Sequence, residues 1–214
     1  MKQITLFNEN VKEYEEWYKK YHEVFLSEVS AIKEQLNKLP ENIKGVEIGV
    51  GTGKFAEQLG IKEGVEPSAK MAALATKRGV EIINGTAENI PFKALNFDFV
   101  LLVTICHLDT IKAALKEAHR VLKQNGSIII GFIDANQQIA KDYEANRKKS
   151  TFFKHATFYS AAQIQSLLKE AGFKNLEFNQ TLFGKIDEIK EIQIPKEGFG
   201  EGSFVVVKAT KKQF

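Results

Sequence analysis

From residue 43 onward, short apolar runs alternate with helical patterns, and this alternation restricts the fold more than any other feature of the chain. The apolar runs include KGVEIGV, VEIING and FDFVLLVTI, and amphipathic stretches such as DTIKAALKEAHRVLKQNG separate them. Strands that are separated by helices are joined by crossovers, so they lie parallel with helices on both faces of the sheet. The sequence therefore predicts an α/β fold with a doubly wound, mostly parallel sheet.

Three segments depart from the alternation. Apolar residues recur at every third or fourth position across residues 9–39, which predicts a helix that ends before Pro40. Residues 134–158 are polar, irregular and aromatic, and they interrupt the pattern as an insertion. The strand-like segments KNLEFNQTLF and GSFVVVKAT are expected to pair antiparallel at the sheet edge. We therefore predict a helical cap at 1–39 and a main domain at 40–214, with the insertion shaping the substrate pocket.

Composition excludes several classes of protein. Thirty Lys and Arg against 27 Asp and Glu give a net charge of +3, which predicts neither a nucleic-acid partner nor an acidic membrane surface. The longest apolar run, FVLLVTIC, is far shorter than the roughly 20 residues that cross a bilayer, and the first residues become charged too early for a signal peptide. The single cysteine permits no internal disulfide and no cysteine-built zinc site. We expect a cytoplasmic protein with no metal.

Gly49, Gly51 and Gly53 occupy alternate positions directly after the first predicted strand. In a doubly wound sheet this is where ligands bind, and the missing Cβ atoms let a ligand approach the backbone closely. A dinucleotide site would read G-x-G-x-x-G, but Lys54 stands at the place of its third glycine. Glu47, two residues before the first glycine, would also repel a pyrophosphate. The same carboxylate suits the ammonium group of S-adenosylmethionine.

Glu66 ends the second predicted strand, at about the distance from the glycine turn where an acidic residue typically accepts two ribose hydroxyls. The following EPSAKM also reads as a helix N-terminus, where a carboxylate is common. Both interpretations are open from the residues alone, and the upstream glycine turn favours the ribose.

Five segments in order carry a family resemblance: VEIGVGTG, GVEPSAKM, NGTAENIPF, FDFVLLVTICHL and ALKEAHRVLKQNGSIII. Their order and spacing resemble the class I S-adenosylmethionine-dependent methyltransferases, most closely the small-molecule branch, across residues 40–133. The resemblance implies a seven-stranded, Rossmann-like sheet whose final strand lies antiparallel between its neighbours. It also implies S-adenosylmethionine as cofactor and a small molecule as methyl acceptor.

The resemblance implies a role for each residue of the cofactor site. Four residues are expected at the methionine end of the cofactor: Glu47, Gly49, Gly51 and Gly53. Glu66 is expected at the ribose. The residues expected around the adenine or beside the methyl group are Pro67, Met71, Thr86, Ala87, Glu88 and Thr104. The family usually has Asp at the position of Thr86, so the acceptor for the exocyclic amine is either the Thr86 hydroxyl or Glu88.

The end of the fourth strand, Thr104 to His107, faces the transferred methyl group in this family. Methyl transfer needs positioning and, where the acceptor is not already a free nucleophile, the removal of a proton. His107 is the predicted general base because the ordinary pKa of histidine, about 6.5, leaves it largely neutral; alternatively, it only shapes the cofactor pocket. Cys106 reads as a small buried hydrophobe rather than as a nucleophile.

Aromatic residues are concentrated in the N-terminal helix and in the insertion. Such rings could line a closed acceptor pocket and stabilise a sulfonium, although each one taken singly would equally serve as helix packing. The residues predicted to bind substrate are Tyr14, Trp17, Tyr18, Tyr143, Phe153 and Tyr159.

The basic segment Lys141–His155 could bind single-stranded nucleic acid, but a solvated helical face explains it better. The main functional hypothesis is a small-molecule methyltransferase acting on an amine, thiol, hydroxyl or acidic carbon. A sensor that binds S-adenosylmethionine without transferring methyl is the alternative, and a nicotinamide dehydrogenase is disfavoured by Glu47 and Lys54.

Overall fold

The computed structural model describes residues 2–212, with side chains from residue 4 onward. Within these residues the helices are α1 Lys2–Glu9, α2 Val11–Lys20, α3 His22–Leu36, α4 Lys54–Leu59, α5 Ala69–Lys77, α6 Ile111–Val121, α7 Gln138–Ala145 and α8 Ala161–Glu170. The strands are β1 Gly45–Ile48, β2 Glu63–Val65, β3 Glu81–Ile83, β4 Phe97–Val103, β5 Leu122–Ile133, β6 Phe173–Thr181, β7 Lys196–Glu197 and β8 Phe204–Lys211.

The strands form one mixed sheet in the order β3-β2-β1-β4-β5-β8-β6-β7. Strands β1 to β5 pair parallel, as the alternation with helices predicts. The last strand, β8, lies antiparallel between β5 and β6, which confirms the arrangement implied by the family resemblance. The sheet has eight strands rather than the expected seven, because the two-residue strand β7 pairs with the outer edge of β6.

Successive side chains of the central strands point to opposite faces of the sheet, and each face has its own hydrophobic core. On one face, Val100 and Ile128 pack with residues of α6 and α8. On the other face, Leu101 and Ile129 pack with residues of α3, α4 and α5. Because both faces are covered, these strands are apolar at nearly every position. The doubly wound architecture is therefore confirmed.

The N-terminal segment differs from the single helix predicted over residues 9–39. The chain breaks at Tyr21, whose φ of −114° and ψ of 49° are not helical, so α2 and α3 are separate helices. An additional helix, α1, precedes them and was not predicted. Tyr18 of α2 and several residues of α3 belong to the same core as the sheet. The N-terminal helices thus pack as part of the main hydrophobic core.

An ionic cluster attaches α2 to the turn after β1. Glu15 lies 2.6 Å from the Nη2 of Arg78 and 3.4 Å from the Nζ of Lys54. Arg78 also donates through Nη1 to the backbone carbonyl of Thr52, at 2.6 Å. These partly buried bonds hold α2 across the glycine turn.

No helix within residues 2–212 is long and apolar enough to cross a membrane.

Lys211 joins the end of α6 to the sheet. Its side chain is buried, and Nζ donates to the carbonyls of His119 and Leu122 at 2.6 and 2.7 Å. A cation at this place satisfies carbonyls that the helix leaves without partners and opposes the negative end of the helix dipole.

We predict that Lys211→Met lowers the free energy of unfolding by about 1.5–3 kcal/mol, because two carbonyls lose a charged donor. Urea unfolding followed by circular dichroism measures the change. The matched control is Lys212→Met at the neighbouring exposed lysine, which should change the stability by less than about 0.5 kcal/mol. Equal stability of the two variants would contradict the proposed importance of this junction.

Candidate active site

A cavity of about 240 Å³ opens where the carboxyl ends of β1, β2 and β4 meet. Its walls come from the glycine turn, the loop at residues 86–88 and the end of β4. The N-terminal helices, the insertion at residues 134–158 and the segment with Leu182 and Ile186 also line it. The predicted site residues that line it are Tyr14, Trp17, Tyr18, Gly49, Gly51, Glu66, Pro67, Met71, Thr86, Ala87, Glu88, Thr104, His107, Tyr143 and Phe153.

Gly51 lies at the centre of the turn after β1. Its φ is 57°, and its N–H donates to the Oε2 of Glu66 at 2.8 Å. A Cβ atom added to Gly51 would lie 3.2 Å from the hydroxyl of Tyr14, while one added to Gly49 would meet open space. The backbone of the turn is therefore exposed to the cavity, as close approach by a ligand requires.

Gly53 lies at the start of α4 and is not among the residues that line the cavity. A Cβ at this position would lie 2.9 Å from the Cα of Ala75, and its φ of 84° is in the left-handed region. Gly53 therefore permits α4 to pack against α5, and its predicted contact with the cofactor stays a prediction.

Glu47 lies in β1 behind the glycine turn, with only 1% of its surface exposed, and it does not line the cavity directly. Within residues 2–212, its Oε2 atom has no hydrogen-bond partner. Burial raises the pKa of this carboxyl well above its usual range, while a backbone N–H of Ala56 opposes the shift and the charge of Glu66 adds to it. A buried acceptor of this kind fits the ammonium group of S-adenosylmethionine.

Glu66 connects the ends of β1 and β2. Oε2 accepts from Gly51 N–H and Oε1 accepts from Ser68 N–H, each at 2.8 Å. Burial raises the pKa of the carboxyl, and the two backbone donors oppose that shift. Glu66 thus lies beside the glycine turn, as expected for a ribose contact, and also at the start of α5, as expected for a carboxylate at a helix N-terminus. Each carboxylate oxygen retains a free lone pair for a ligand hydroxyl.

The loop at residues 86–88 forms the side of the cavity expected to hold the adenine. Ala87 and Met71 are buried there and present apolar surface. Glu88 uses Oε1 to accept from the N–H groups of Asp109 and Thr110, at 2.9 and 3.3 Å, at the start of α6. Glu88 therefore has a structural function in capping α6, and it also lines the cavity.

The chain turns sharply at the end of β4. Thr104 has a φ of 57°, a left-handed conformation that costs a β-branched residue about 1–2 kcal/mol. Strain of this kind is concentrated at functional sites.

Burial lowers the pKa of the following His107 to about 4 and raises the pKa of Cys106 to about 12. At neutral pH the imidazole is therefore uncharged and the Cys106 thiol is protonated, as expected of a small buried hydrophobe.

Aromatic rings line the cavity from the glycine turn to the insertion. The hydroxyls of Tyr14 and Tyr18 lie 2.9 Å apart, and the rings of Tyr143 and Phe153 stack with centroids 4.1 Å apart. Phe7 of α1 and Phe152 of the insertion stack at 5.4 Å and also line the cavity. Phe7 was not predicted because α1 itself was not predicted, whereas Phe152 belongs to the aromatic residues of the insertion but was not among those predicted to bind substrate.

Tyr159 is not among the residues that line the cavity. It packs against the core formed with α6 and α8, and its backbone forms an isolated parallel bridge with Asp134. Its predicted contact with substrate stays a prediction that this packing does not favour.

Glu28 of α3 is a cavity residue that the sequence reasoning missed. Its side chain is 7% exposed, and burial raises its pKa to about 8. A signal was present: Glu28 lies three residues after Phe25 and four before Ile32, on the buried face of the helix. An acidic residue on that face is unusual enough to indicate a site.

Within residues 2–212, no group of three or more metal-ligating side chains is placed to hold a metal ion.

Comparison with known proteins agrees with this geometry. A family model described as "Methyltransferase domain" matches residues 46–130. The chain is 47% identical to a Thermotoga maritima protein described as a "SAM-dependent methyltransferase, possible histamine N-methyltransferase", with a TM-score of 0.93 and coverage of 98% of this chain and 100% of that one. It is 42% identical to an uncharacterised protein of Methanocaldococcus jannaschii, covering 97% of this chain and 100% of that protein.

A more distant structure extends the fold comparison. Phosphoethanolamine N-methyltransferase 2 of Haemonchus contortus, in complex with S-adenosylmethionine, is 18% identical with a TM-score of 0.62, and the match covers 85% of this chain and 51% of that one. At this identity the match concerns the fold alone. The family model, the near-complete match to the Thermotoga protein and the geometry of the glycine turn agree. The chain belongs to the class I S-adenosylmethionine-dependent methyltransferases, enzymes that use S-adenosylmethionine as cofactor.

Proposed function

We propose that this enzyme transfers the methyl group of S-adenosylmethionine to a small-molecule acceptor. The observation that carries the proposal is the aromatic lining of the cavity, to which α1, α2 and the insertion all contribute rings. A concave cavity with such a lining suits a small acceptor rather than a macromolecular surface. Nucleic acid is therefore a disfavoured partner, and the cytoplasmic location expected from the sequence stays a prediction.

We assign the cavity residues to the methionine, ribose and adenine parts of the cofactor. The exposed backbone of Gly49 and Gly51 and the unpartnered oxygen of Glu47 would hold the methionine end. Glu66 would accept the ribose hydroxyls. Around the adenine we propose Pro67, Met71, Thr86, Ala87 and Glu88, with Thr104 beside the methyl group.

The chemistry supplied by the bound cofactor is a methyl carbon activated by the adjacent sulfonium. The residues of this chain would position the acceptor in line with that carbon and exclude water from it. His107 is held between Phe7 and Phe153, with ring centroids at 5.0 and 5.5 Å. A neutral imidazole can accept a proton, but its low pKa makes it a weak base. Its role as general base stays a prediction beside its role in shaping the pocket.

The acceptor class is open to a direct test. We expect the purified enzyme to form S-adenosylhomocysteine from S-adenosylmethionine only when a suitable acceptor from a panel of amines, thiols, phenols and acidic carbon compounds is added. The Thermotoga protein's description places amines first in that panel. A sensor would bind the cofactor and form no S-adenosylhomocysteine with any acceptor, which would overturn the proposal.

We predict that Gly51→Val abolishes S-adenosylmethionine binding in calorimetric titration while the protein stays folded. The valine would strain the backbone at a φ of 57° and place its side chain where the ligand must approach. Gly60→Val is the matched control, because Gly60 has a φ of 72°, borders open space and lies outside the cavity. If Gly51→Val bound the cofactor as tightly as Gly60→Val, the turn would not be the binding site.

Glu66→Ala should weaken the binding of both S-adenosylmethionine and S-adenosylhomocysteine by about 1.5–3 kcal/mol, the range for hydrogen bonds to a charged group. Glu63→Ala on the same strand, where Glu63 pairs with Lys44 outside the cavity, serves as control.

The same variant separates a ribose contact from an effect on the turn, because Glu66 also accepts Gly51 N–H. Removing the 2′-hydroxyl from S-adenosylhomocysteine should weaken its binding to the parent but not to Glu66→Ala. Equal losses in parent and variant would assign Glu66 to the turn alone.

A further inference from the structure

Glu28 is a buried acid in the cavity with no partner in the protein. Its side chain is 7% exposed and lines the cavity wall. Among residues 2–212, no hydrogen bond or ion pair to its carboxylate is found, and desolvation is the one cause that shifts its pKa, to about 8. Burial of an unpaired carboxylate is costly unless a ligand supplies the opposite charge or the hydrogen bonds.

The charges around the cavity favour a cation. Among the described residues that line it, four are acidic, namely Glu28, Glu66, Glu88 and Asp109, and none is Lys or Arg. Glu66 and Glu88 accept backbone N–H groups, and Asp109 is exposed. An anionic acceptor would therefore find no counter-charge here, whereas a cation would find one in Glu28.

Glu28 lies among aromatic residues of the cavity wall. It lines the same cavity as Trp17, Tyr18, Tyr143 and Phe153, which together form the aromatic part of the cavity. The charge of Glu28 helps to raise the pKa values of Tyr18 and Tyr143, and Glu47 also contributes at Tyr18. The Tyr14 hydroxyl lies on the side of Gly51.

Aromatic rings next to a carboxylate form a favourable environment for an ammonium group. Tyr143 and Phe153 stack there, and Trp17 lines the same part of the wall. Ring faces attract cations, and the attraction is stronger where water is excluded. An ammonium group would also restore the charged form of Glu28 by supplying its missing partner.

We propose that the acceptor is a small cationic amine and that Glu28 binds its ammonium group within the aromatic part of the cavity. This inference rests on the proposed function, since it names the substrate class of that same site. Glu28 would contact the substrate and select it, and neutral or anionic acceptors of the same shape would bind less well. Because an ammonium nitrogen has no lone pair, it must first release a proton, which the Glu28 carboxylate beside it can accept; the neutral amine then attacks the methyl carbon as the bond to sulfur breaks.

The test measures binding in the presence of S-adenosylhomocysteine, so that no turnover occurs. The probes are three primary amines, 2-phenylethylamine, tryptamine and n-butylamine, each paired with the alcohol of the same carbon skeleton. For the parent enzyme we expect at least one amine to bind at least tenfold more tightly than its alcohol. Glu28→Gln should lose at least tenfold in affinity for that amine and remain unchanged for the alcohol.

Two controls test whether the loss of amine affinity is specific to Glu28. Glu34→Gln changes an acid on the same helix that does not line the cavity, and it should bind the amine like the parent. Affinity of Glu28→Gln for S-adenosylmethionine should equal that of the parent, which shows that the variant is folded and its cofactor site intact.

The proposal is overturned if no amine binds better than its alcohol, or if Glu28→Gln binds the amine as tightly as the parent. Formation of S-adenosylhomocysteine with phenols or thiols but not with amines would overturn this inference and leave the proposed function standing. Failure of every acceptor to yield S-adenosylhomocysteine would instead overturn the proposed function, even if the Glu28-dependent preference for amines were observed.

Discussion

The carboxylate of Glu66 holds the site together. It accepts from Gly51 in the turn after β1 and from Ser68 at the start of α5, so one buried side chain ties the ends of two parallel strands. Neither N–H group has a partner within a strand or helix, and a buried donor without an acceptor would be costly. The geometry of the glycine turn, and with it the wall of the cavity, depends on this tie.

Burial raises the pKa of three carboxyls in or behind the cavity: Glu28, Glu47 and Glu66. An acid whose pKa is raised on folding stabilises the fold below its unfolded pKa, and this contribution is lost as the pH rises through the folded pKa. At neutral pH the Glu28 carboxyl, whose pKa is about 8, is largely protonated unless a cation lies beside it. The ammonium and sulfonium groups of the cofactor would supply positive charge near Glu47 and Glu66, whereas Glu28 is proposed to meet the ammonium group of the acceptor.

The N-terminal helices connect the cofactor region to the aromatic part of the cavity. Glu15 of α2 pairs with Arg78, which in turn donates to the carbonyl of Thr52 in the glycine turn. One helical turn further on, Tyr18 is buried in the core and its hydroxyl meets that of Tyr14 above Gly51. The same helix therefore packs against the core, lines the cavity and contacts the glycine turn.

The sequence by itself determined that the central strands are parallel and that a glycine turn follows the first of them, because local periodicity and glycine spacing report directly on strands, helices and tight turns. Only the tertiary structure decided which side chains meet. Gly53 packs against Ala75, Tyr159 packs against the core formed with α6 and α8, and Glu28 enters the cavity from the buried face of α3. These contacts join residues that are distant in the chain. Local periodicity can show that Glu28 lies on the buried face of its helix, but only the packing of elements against one another decides which residues that face meets.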